Sequence, residues 1–285
     1  MDRYLKIQVK KDLSKKMVFL GGPRQVGKTT LAKNLLPSEA HYYNWDESEN
    51  RHAILTQKWN AEKGLIVLDE IHKYRSWRNF IKGLYDVNKN RLQILVTGSA
   101  RLDLYRYGGD SLQGRYHFLR LHPLSFAELK GSAGTLEDLM KYGGFPEPFL
   151  GQDEIDARRW SIEYRTRLIR DDLNSVEAIR DLGNLELLMM RLPALVGSPL
   201  SINGLREDLR LNHKTVANWL NIFEKLYALF RLSPFGSPKI KAVKKEQKHY
   251  HFDWTLVENE SFRFENLVAC HLLKWCHYQV DALGL

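Results

Sequence analysis

The chain has 285 residues, 44% of them apolar and 27% charged, with a net charge of +9. That length exceeds the usual single domain, and the composition is that of an ordinary globular protein, so two or three units with cores of their own are expected. No apolar run approaches the ~18 residues that span a bilayer, and the opening Met1-Asp-Arg-Tyr-Leu-Lys6 lacks the apolar core of a signal peptide, so no membrane segment is expected and the expected compartment is the cytoplasm.

The charge is unevenly spread. Lys and Arg outnumber Asp and Glu by 23 to 13 over residues 1–130, are outnumbered 8 to 12 over 131–197, and lead again by 12 to 9 over 198–285. Two basic portions around an acidic middle would suit a polyanionic partner, and would equally make a solvated surface. The two cysteines, Cys270 and Cys276, stand at i, i+6 on an expected helix, well apart around its axis, and read as buried thiols that are neither a disulfide nor metal ligands.

Residues 1–16 carry five lysines on a weak apolar pattern and read as a short helix or strand beside the core. Met17-Val-Phe-Leu20 is then a strand that breaks into Gly22-Pro-Arg-Gln-Val-Gly-Lys-Thr29, followed by the helix formers Leu31, Ala32 and Leu35. Two glycines five positions apart, then Lys and Thr, between a strand and a helix, make a phosphate cradle. Gly22 and Gly27 let successive backbone N–H groups turn inward, and the helix adds its unpaired amides and the positive end of its dipole. The residues that would touch a nucleotide are Gly22, Pro23, Arg24, Gln25, Val26, Gly27, Lys28, Thr29 and Thr30. Lys28 supplies a fixed charge, and the Thr29 hydroxyl is suited to ligate Mg²⁺.

The helix from 28 is expected to end at 36, before Pro37. His41–Trp45 reads as a second strand with Asp46 at its tip, and Glu47–Lys58 as a helix. Leu65-Ile-Val-Leu68 has the unbroken apolar run of a strand buried on both faces of a parallel sheet, and it ends in Asp69-Glu70. Such a strand delivers its last residues to the carboxyl edge of the sheet, where open α/β folds bind ligands. Asp69 is therefore the candidate to orient Mg²⁺, and Glu70 the candidate to polarise an attacking water. A helix over 76–88 with Trp77, Phe80, Ile81 and Leu84 on its core face leads to another buried strand, Leu92–Thr97, and Gly98-Ser99. The Thr97 and Ser99 hydroxyls either meet the γ-phosphate or attacking water, or close the strand-to-loop turn.

At this point the order of blocks becomes diagnostic. Gly22–Thr29, Leu65–Glu70, Val96–Ser99, Leu112-Gln-Gly-Arg115 and Leu121-His-Pro-Leu-Ser-Phe-Ala-Glu128 resemble the archaeal and bacterial AAA-type ATPases of the AAA_14/DUF4143 group, relatives of the AAA+ and STAND ATPases. The resemblance implies an α/β fold: a P-loop NTPase of AAA+-like form, its parallel sheet covered by helices on both faces, followed by a helical lid and a winged-helix domain. It implies ATP and Mg²⁺ as ligands. It also gives Arg115 the role of an arginine aimed at nucleotide phosphates, within the chain or from a neighbouring copy; on its residues alone Arg115 could as well be half of a surface ion pair.

The organisation expected is an ATPase core over 1–130, a helical lid over 131–197 and a winged helix over 198–258, with the start of a further domain over 259–285. In the lid, Tyr142-Gly-Gly-Phe-Pro-Glu147 and the stretch Tyr164…Arg170-Asp171-Asp172 resemble the family's blocks. Ser201 caps a short helix 202–209, Lys214–Leu226 forms a second, and strands at 227–235 and 248–253 enclose a lysine-rich turn. Lys214 and Asn218 lie where a recognition helix would meet a major groove, and Lys241, Lys244 and Lys245 where a wing would track a DNA backbone. Phe262–Leu273 resembles the family's entry into a nuclease-like domain, but the acidic and lysine residues that such a domain needs for cleavage are absent from this sequence.

Two functions are consistent with these residues. One is ATP hydrolysis coupled to movement of the lid and winged helix on double-stranded DNA. The other is a STAND-like nucleotide-dependent switch that binds a protein partner or a second copy of the chain, with slow turnover or none. A small-molecule kinase is disfavoured, because a water-activating Glu70 would divert the phosphoryl group to water.

Overall fold

The computed structural model describes residues 2–36, 41–59, 63–98, 102, 112–129, 134–173, 181–235 and 247–285, with the backbone alone at 171–173. They form two compact units, one made of residues up to Leu124 together with Trp275–Leu285, the other of Ser125–Lys274.

In the first unit, helix α1 (Lys6–Leu13) leads into strand β1 (Met17–Gly21), the phosphate loop and helix α2 (Lys28–Lys33). Strand β2 (Tyr42–Asn44), helix α3 (Ser48–Thr56), strand β3 (Gly64–Asp69), helix α4 (Trp77–Asn88), strand β4 (Leu92–Thr97) and strand β5 (Tyr116–Arg120) come next. The strands form one parallel sheet in the order β2-β3-β4-β1-β5. Alternation along the strands builds two apolar layers. Met17, Phe19, Ile66, Leu68, Ile94 and Val96 pack on one face with Ile54 of α3 and Trp77, Ile81 and Leu84 of α4. Val18, Leu20, Leu65, Val67 and Leu95 pack on the other with Leu5, Val9 and Leu13 from the amino-terminal segment and Leu31 of α2. Because every strand runs the same way, the segments after β1, β3, β4 and β5 all leave from the carboxyl edge, and the site is gathered there.

The start of the chain, which the sequence leaves as helix or strand, is helical. Helix α2 ends at Lys33, short of residue 36, and β5 was not anticipated. Cys276 is exposed, in contrast to the buried Cys270 and to the expectation that both are buried.

The second unit begins with helices α5 (Leu136–Tyr142), α6 (Pro146–Gly151) and α7 (Glu154–Arg167), the last widening into π-type turns over Leu168–Leu173. Thr135 and Asp138 close a reciprocal cap on α5, and Asp153 caps α7 through the N–H groups of Ile155 and Asp156. Phe145 packs its ring 4.8 Å from that of Trp160 and 4.9 Å from that of Tyr164.

Next come helix α8 (Leu182–Arg191), the two-residue strand β6 (Pro199–Leu200), helices α9 (Ile202–Asp208) and α10 (His213–Lys225), and strands β7 (Leu229–Leu232) and β8 (Gln247–His251). These strands form an antiparallel sheet in the order β6-β8-β7. Ser201 caps α9 and Asn212 caps α10. The two expected helices and two expected strands of this region are therefore present, with β6 added ahead of them. The turn holding Lys241, Lys244 and Lys245 lies outside the described residues.

The last helix is α11 (Glu260–Tyr278). Buried Asn266 accepts from the His251 N–H at 2.8 Å and donates to the His251 carbonyl at 2.7 Å, which ties α11 to β8. Buried Lys274 pairs with Glu128 and donates to Ser125 Oγ at 2.9 Å. Residues 259–274 belong to the second unit and 275–285 to the first. Among the described residues no helix is long and apolar enough to cross a membrane.

Candidate nucleotide site

The loop between β1 and α2 is set by backbone conformations that few residues adopt. Gly22 has φ 123° and Gly27 φ 95°, while Gln25 is left-handed at φ 58°. A Cβ on Gly22 would meet the Leu121 carbonyl oxygen at 2.2 Å, so only glycine lets the loop lie against the end of β5. Val26 is the loop's apolar anchor, fully buried in the layer formed with Leu5, Val9 and Leu31. Pro23 is buried, Arg24 and Gln25 are half-buried, and Thr29 and Thr30 are exposed at the start of α2.

Lys28 is only 9% exposed, and its ammonium donates to the carbonyl oxygens of Gly22 at 3.0 Å and Pro23 at 2.5 Å. The positive charge is thereby held inside the loop by neutral acceptors, which phosphate oxygens can replace with a gain in charge-assisted bonding.

Asp69, the last residue of β3, is buried and receives three side-chain hydroxyls. Thr29 Oγ1 donates to Oδ2 at 2.9 Å, Tyr42 to the same oxygen at 2.5 Å, and Thr97 to Oδ1 at 2.5 Å. Burial, followed by the bond to Asp69, pushes the Tyr42 phenol well above the ordinary tyrosine value, so it stays a neutral donor. A buried carboxylate held by uncharged donors beside a Thr hydroxyl fits a divalent cation brought in with phosphates. Mg²⁺ in such sites takes one or two protein ligands, with water and phosphate oxygens supplying the rest.

Glu70 comes next in a left-handed conformation, φ 58°, its N–H donating to the Thr97 carbonyl at 3.0 Å. Its carboxylate lies 3.2 Å from Lys73 Nζ and 3.7 Å from Nε2 of buried His72. Burial foremost raises its pKa above the ordinary glutamate value; Lys73 lowers it, Asp69 raises it, and Lys28 lowers it. Lys73 itself lies 2.5 Å from Asp46 Oδ2, and although burial works against its charge, its bonds to Asp46 and Glu70 raise its pKa.

Thus the structure brings Gly22–Thr30, Asp69, Glu70 and Thr97 together, with two changes from expectation. Thr97 is fully buried and braces Asp69, so its hydroxyl is not presented to a phosphate or water. Arg115 is at the opposite edge. Its carbonyl accepts from Met17 N at 3.2 Å, where β1 begins, and its guanidinium grips Asp86 of α4 at 2.8 and 3.1 Å. The five residues of β1 separate it from the loop by about 16 Å at the usual ~3.3 Å rise per residue, beyond the reach of its side chain. Ser99 lies outside the described residues.

Sequence reasoning missed Tyr42, Asp46 and Lys73 as members of the site. The signal that could have found them was the parallel pairing of β2 with β3, which sets Asn44 beside Asp69, and the i, i+3 spacing of Glu70 and Lys73. In the second unit, Lys214 and Asn218 are both exposed on α10, on the face opposite buried Val216, Trp219, Leu220 and Phe223.

Residues 14–130 match the AAA domain family AAA_14, and residues 133–261 match a domain of unknown function, DUF8612. An uncharacterized protein of Methanocaldococcus jannaschii is 27% identical over 73% of this chain and 52% of its own length. One of Mycobacterium tuberculosis is 26% identical over 85% of this chain and 55% of its own length, so the chain spans about half of each relative. The Walker-type ATPase of Pyrococcus abyssi superposes with a TM-score of 0.55 at 13% identity, covering 92% of this chain and 95% of that one, a likeness of fold.

Proposed function

We propose that this chain, whose residues 14–130 match the AAA domain family AAA_14, binds ATP and hydrolyses it. The observation that carries this reading is the 2.9 Å bond from Thr29 to Asp69, which joins the phosphate loop to the carboxylate strand with Glu70 as the next residue.

The backbone amides of residues 24–29 and the Lys28 ammonium would receive the β- and γ-phosphates. A magnesium ion would be held by the Thr29 hydroxyl and oriented by Asp69, where it would neutralise charge on the phosphate oxygens. Glu70 would accept a proton from a water attacking the γ-phosphorus as the bond from that phosphorus to the bridging oxygen of ADP breaks, giving ADP and phosphate. Its raised pKa favours this, because a stronger base polarises water better. Arg115 would act only on a nucleotide held by another copy of the chain, since its own lies out of reach.

The helices and the sheet of order β6-β8-β7 support a winged helix, with α10 as its exposed reading helix. We take nucleotide turnover to drive movement of this element on double-stranded DNA. A second reading, a slowly cycling switch with a protein partner, is favoured by one observation: Lys73, anchored on Asp46, occupies the Glu70 carboxylate.

Steady-state phosphate release with and without duplex DNA separates the readings, with Lys28→Ala as the blank. Release above the blank and raised by DNA is expected. Tight ATP binding without release, indifferent to DNA, would favour the switch, and loss of ATP binding in the parent protein would overturn both.

A further inference from the structure

Ahead of α1, Arg3 reaches across to the phosphate loop. One terminal nitrogen of its guanidinium donates to the Val26 carbonyl at 2.6 Å and the other to the His122 carbonyl. Beside it, the Tyr4 hydroxyl donates to the Arg120 carbonyl at 2.5 Å and accepts from the His122 N–H at 3.3 Å. Two consecutive residues therefore hold the end of β5, and Arg3 extends that hold to the loop.

His122 is itself fixed. Its Nε2 lies 2.8 Å from His277 Nδ1, and His277 Nε2 lies 2.9 Å from Arg120, whose guanidinium makes a two-pronged pair with Asp281 at 2.7 and 2.7 Å. One tine of the Arg3 fork thus rests on a braced carbonyl, and the other fixes the loop.

The bond to Val26 acts on the neighbouring amide of Gly27. A peptide unit is planar and trans, so its carbonyl and the next N–H point in opposite directions. A Val26 carbonyl turned to Arg3 sends the Gly27 N–H away from Arg3. Glycine at 27, at φ 95°, does not enforce that orientation, because it tolerates the alternative backbone states that a flipped Val26–Gly27 peptide would need. The Arg3 bond from outside the loop favours one of these orientations.

We propose that Arg3 is a positioning residue of the phosphate site, which grips the Val26 carbonyl so that the Gly27 N–H is presented to a nucleotide phosphate. The inference rests on the phosphate-binding reading of the loop and adds to it a residue that touches no nucleotide. A guanidinium suits the task because one rigid fork serves two carbonyls, whereas an ammonium reaches them singly.

The test compares the full-length parent protein with Arg3→Gln and Arg3→Lys, measuring MgADP and MgATP affinity by calorimetry at a temperature where thermal unfolding shows each to be folded. Arg3→Gln should weaken both nucleotides by about 10-fold or more, Arg3→Lys by an intermediate factor, and phosphate release at saturating ATP should change by less than about threefold. The Gly27 amide should also exchange its hydrogen faster in Arg3→Gln. A purely structural arginine would lower the melting temperature and leave the affinity of the folded protein intact. Parent-like affinity in folded Arg3→Gln, or in Arg3→Lys should the glutamine variant not fold, overturns the inference alone. Failure of the parent itself to bind either nucleotide overturns the phosphate-site reading instead.

Discussion

Lys73 stands between two carboxylates, its ammonium 3.2 Å from Glu70 Oε2 and 2.5 Å from Asp46 Oδ2. The proposed water-activating group is therefore neither free in solvent nor fully committed to a partner. Glu70→Gln keeps the shape and the hydrogen-bonding capacity of the side chain and removes the base. ATP affinity should stay within a few-fold of the parent while phosphate release falls by about 100-fold or more. Parent-like release would move the catalytic role to another residue.

The same trio gives a pH dependence. Hydrolysis needs Glu70 ionised, so turnover should rise with pH as its proton leaves, and burial sets that acidic limb above the ordinary glutamate range. Lys73 pulls the limb back down by favouring the carboxylate. In Lys73→Met that pull is gone, and the limb should move to higher pH, with turnover retained well above it. A phosphate-release profile across pH for parent and variant reads the shift; a limb that stays put or moves down would mean that Lys73 does not govern Glu70.

How much of this was readable in the sequence depends on the distance over which each feature is specified. The phosphate loop is local, since Gly22, Gly27, Lys28 and Thr29 lie within one strand-to-helix turn, and Asp69-Glu70 is marked by the apolar run before it. Parallel strands buried on both faces write themselves as such runs, which made β1, β3 and β4 legible. The contacts that tune the site are not local. Tyr42 meets Asp69 across 27 positions and Arg3 meets Val26 across 23, and nothing in either neighbourhood announces the pairing. The two-residue β6 carries no periodicity, so it shows only through its partner β8. The place of Arg115 was not legible for a related reason: a Gly-Arg pair ahead of a strand says which residue is present but not which edge of the sheet the strand starts from.

That edge makes Arg115 a test of assembly. Held by Asp86 at the amino-terminal side of the sheet, it should leave ATP affinity unchanged when replaced by Ala. Specific activity of the parent should rise with protein concentration as copies meet, while Arg115→Ala should stay near the dilute value, a difference of up to about 10³-fold for an arginine acting on a transferring phosphoryl group. Mixing Arg115→Ala with Glu70→Gln should restore part of the activity. Equal concentration dependence in parent and variant would reduce Arg115 to a surface ion pair.

The second unit carries the remaining prediction. On α10 the buried residues Val216, Trp219, Leu220 and Phe223 fix which way the helix faces, and Lys214 and Asn218, one turn apart, share the exposed side. If that side enters a major groove, Asn218 can pair with a base edge and Lys214 with a base or a phosphate, so changing both to Ala should alter the ranking of duplex sequences, by about 1–3 kcal/mol for each base-edge pairing removed. Lys241, Lys244 and Lys245 should behave differently. Backbone contacts carry no sequence information, so neutralising all three should weaken every duplex alike and lower the slope of log affinity against log salt by up to about 3. Titrations of specific and scrambled duplexes at several salt concentrations separate the two effects. Parent-like affinity, ranking and salt slope in both variants would remove DNA as the partner, and the exposed face of α10 would then be a protein-docking surface answering to the nucleotide switch.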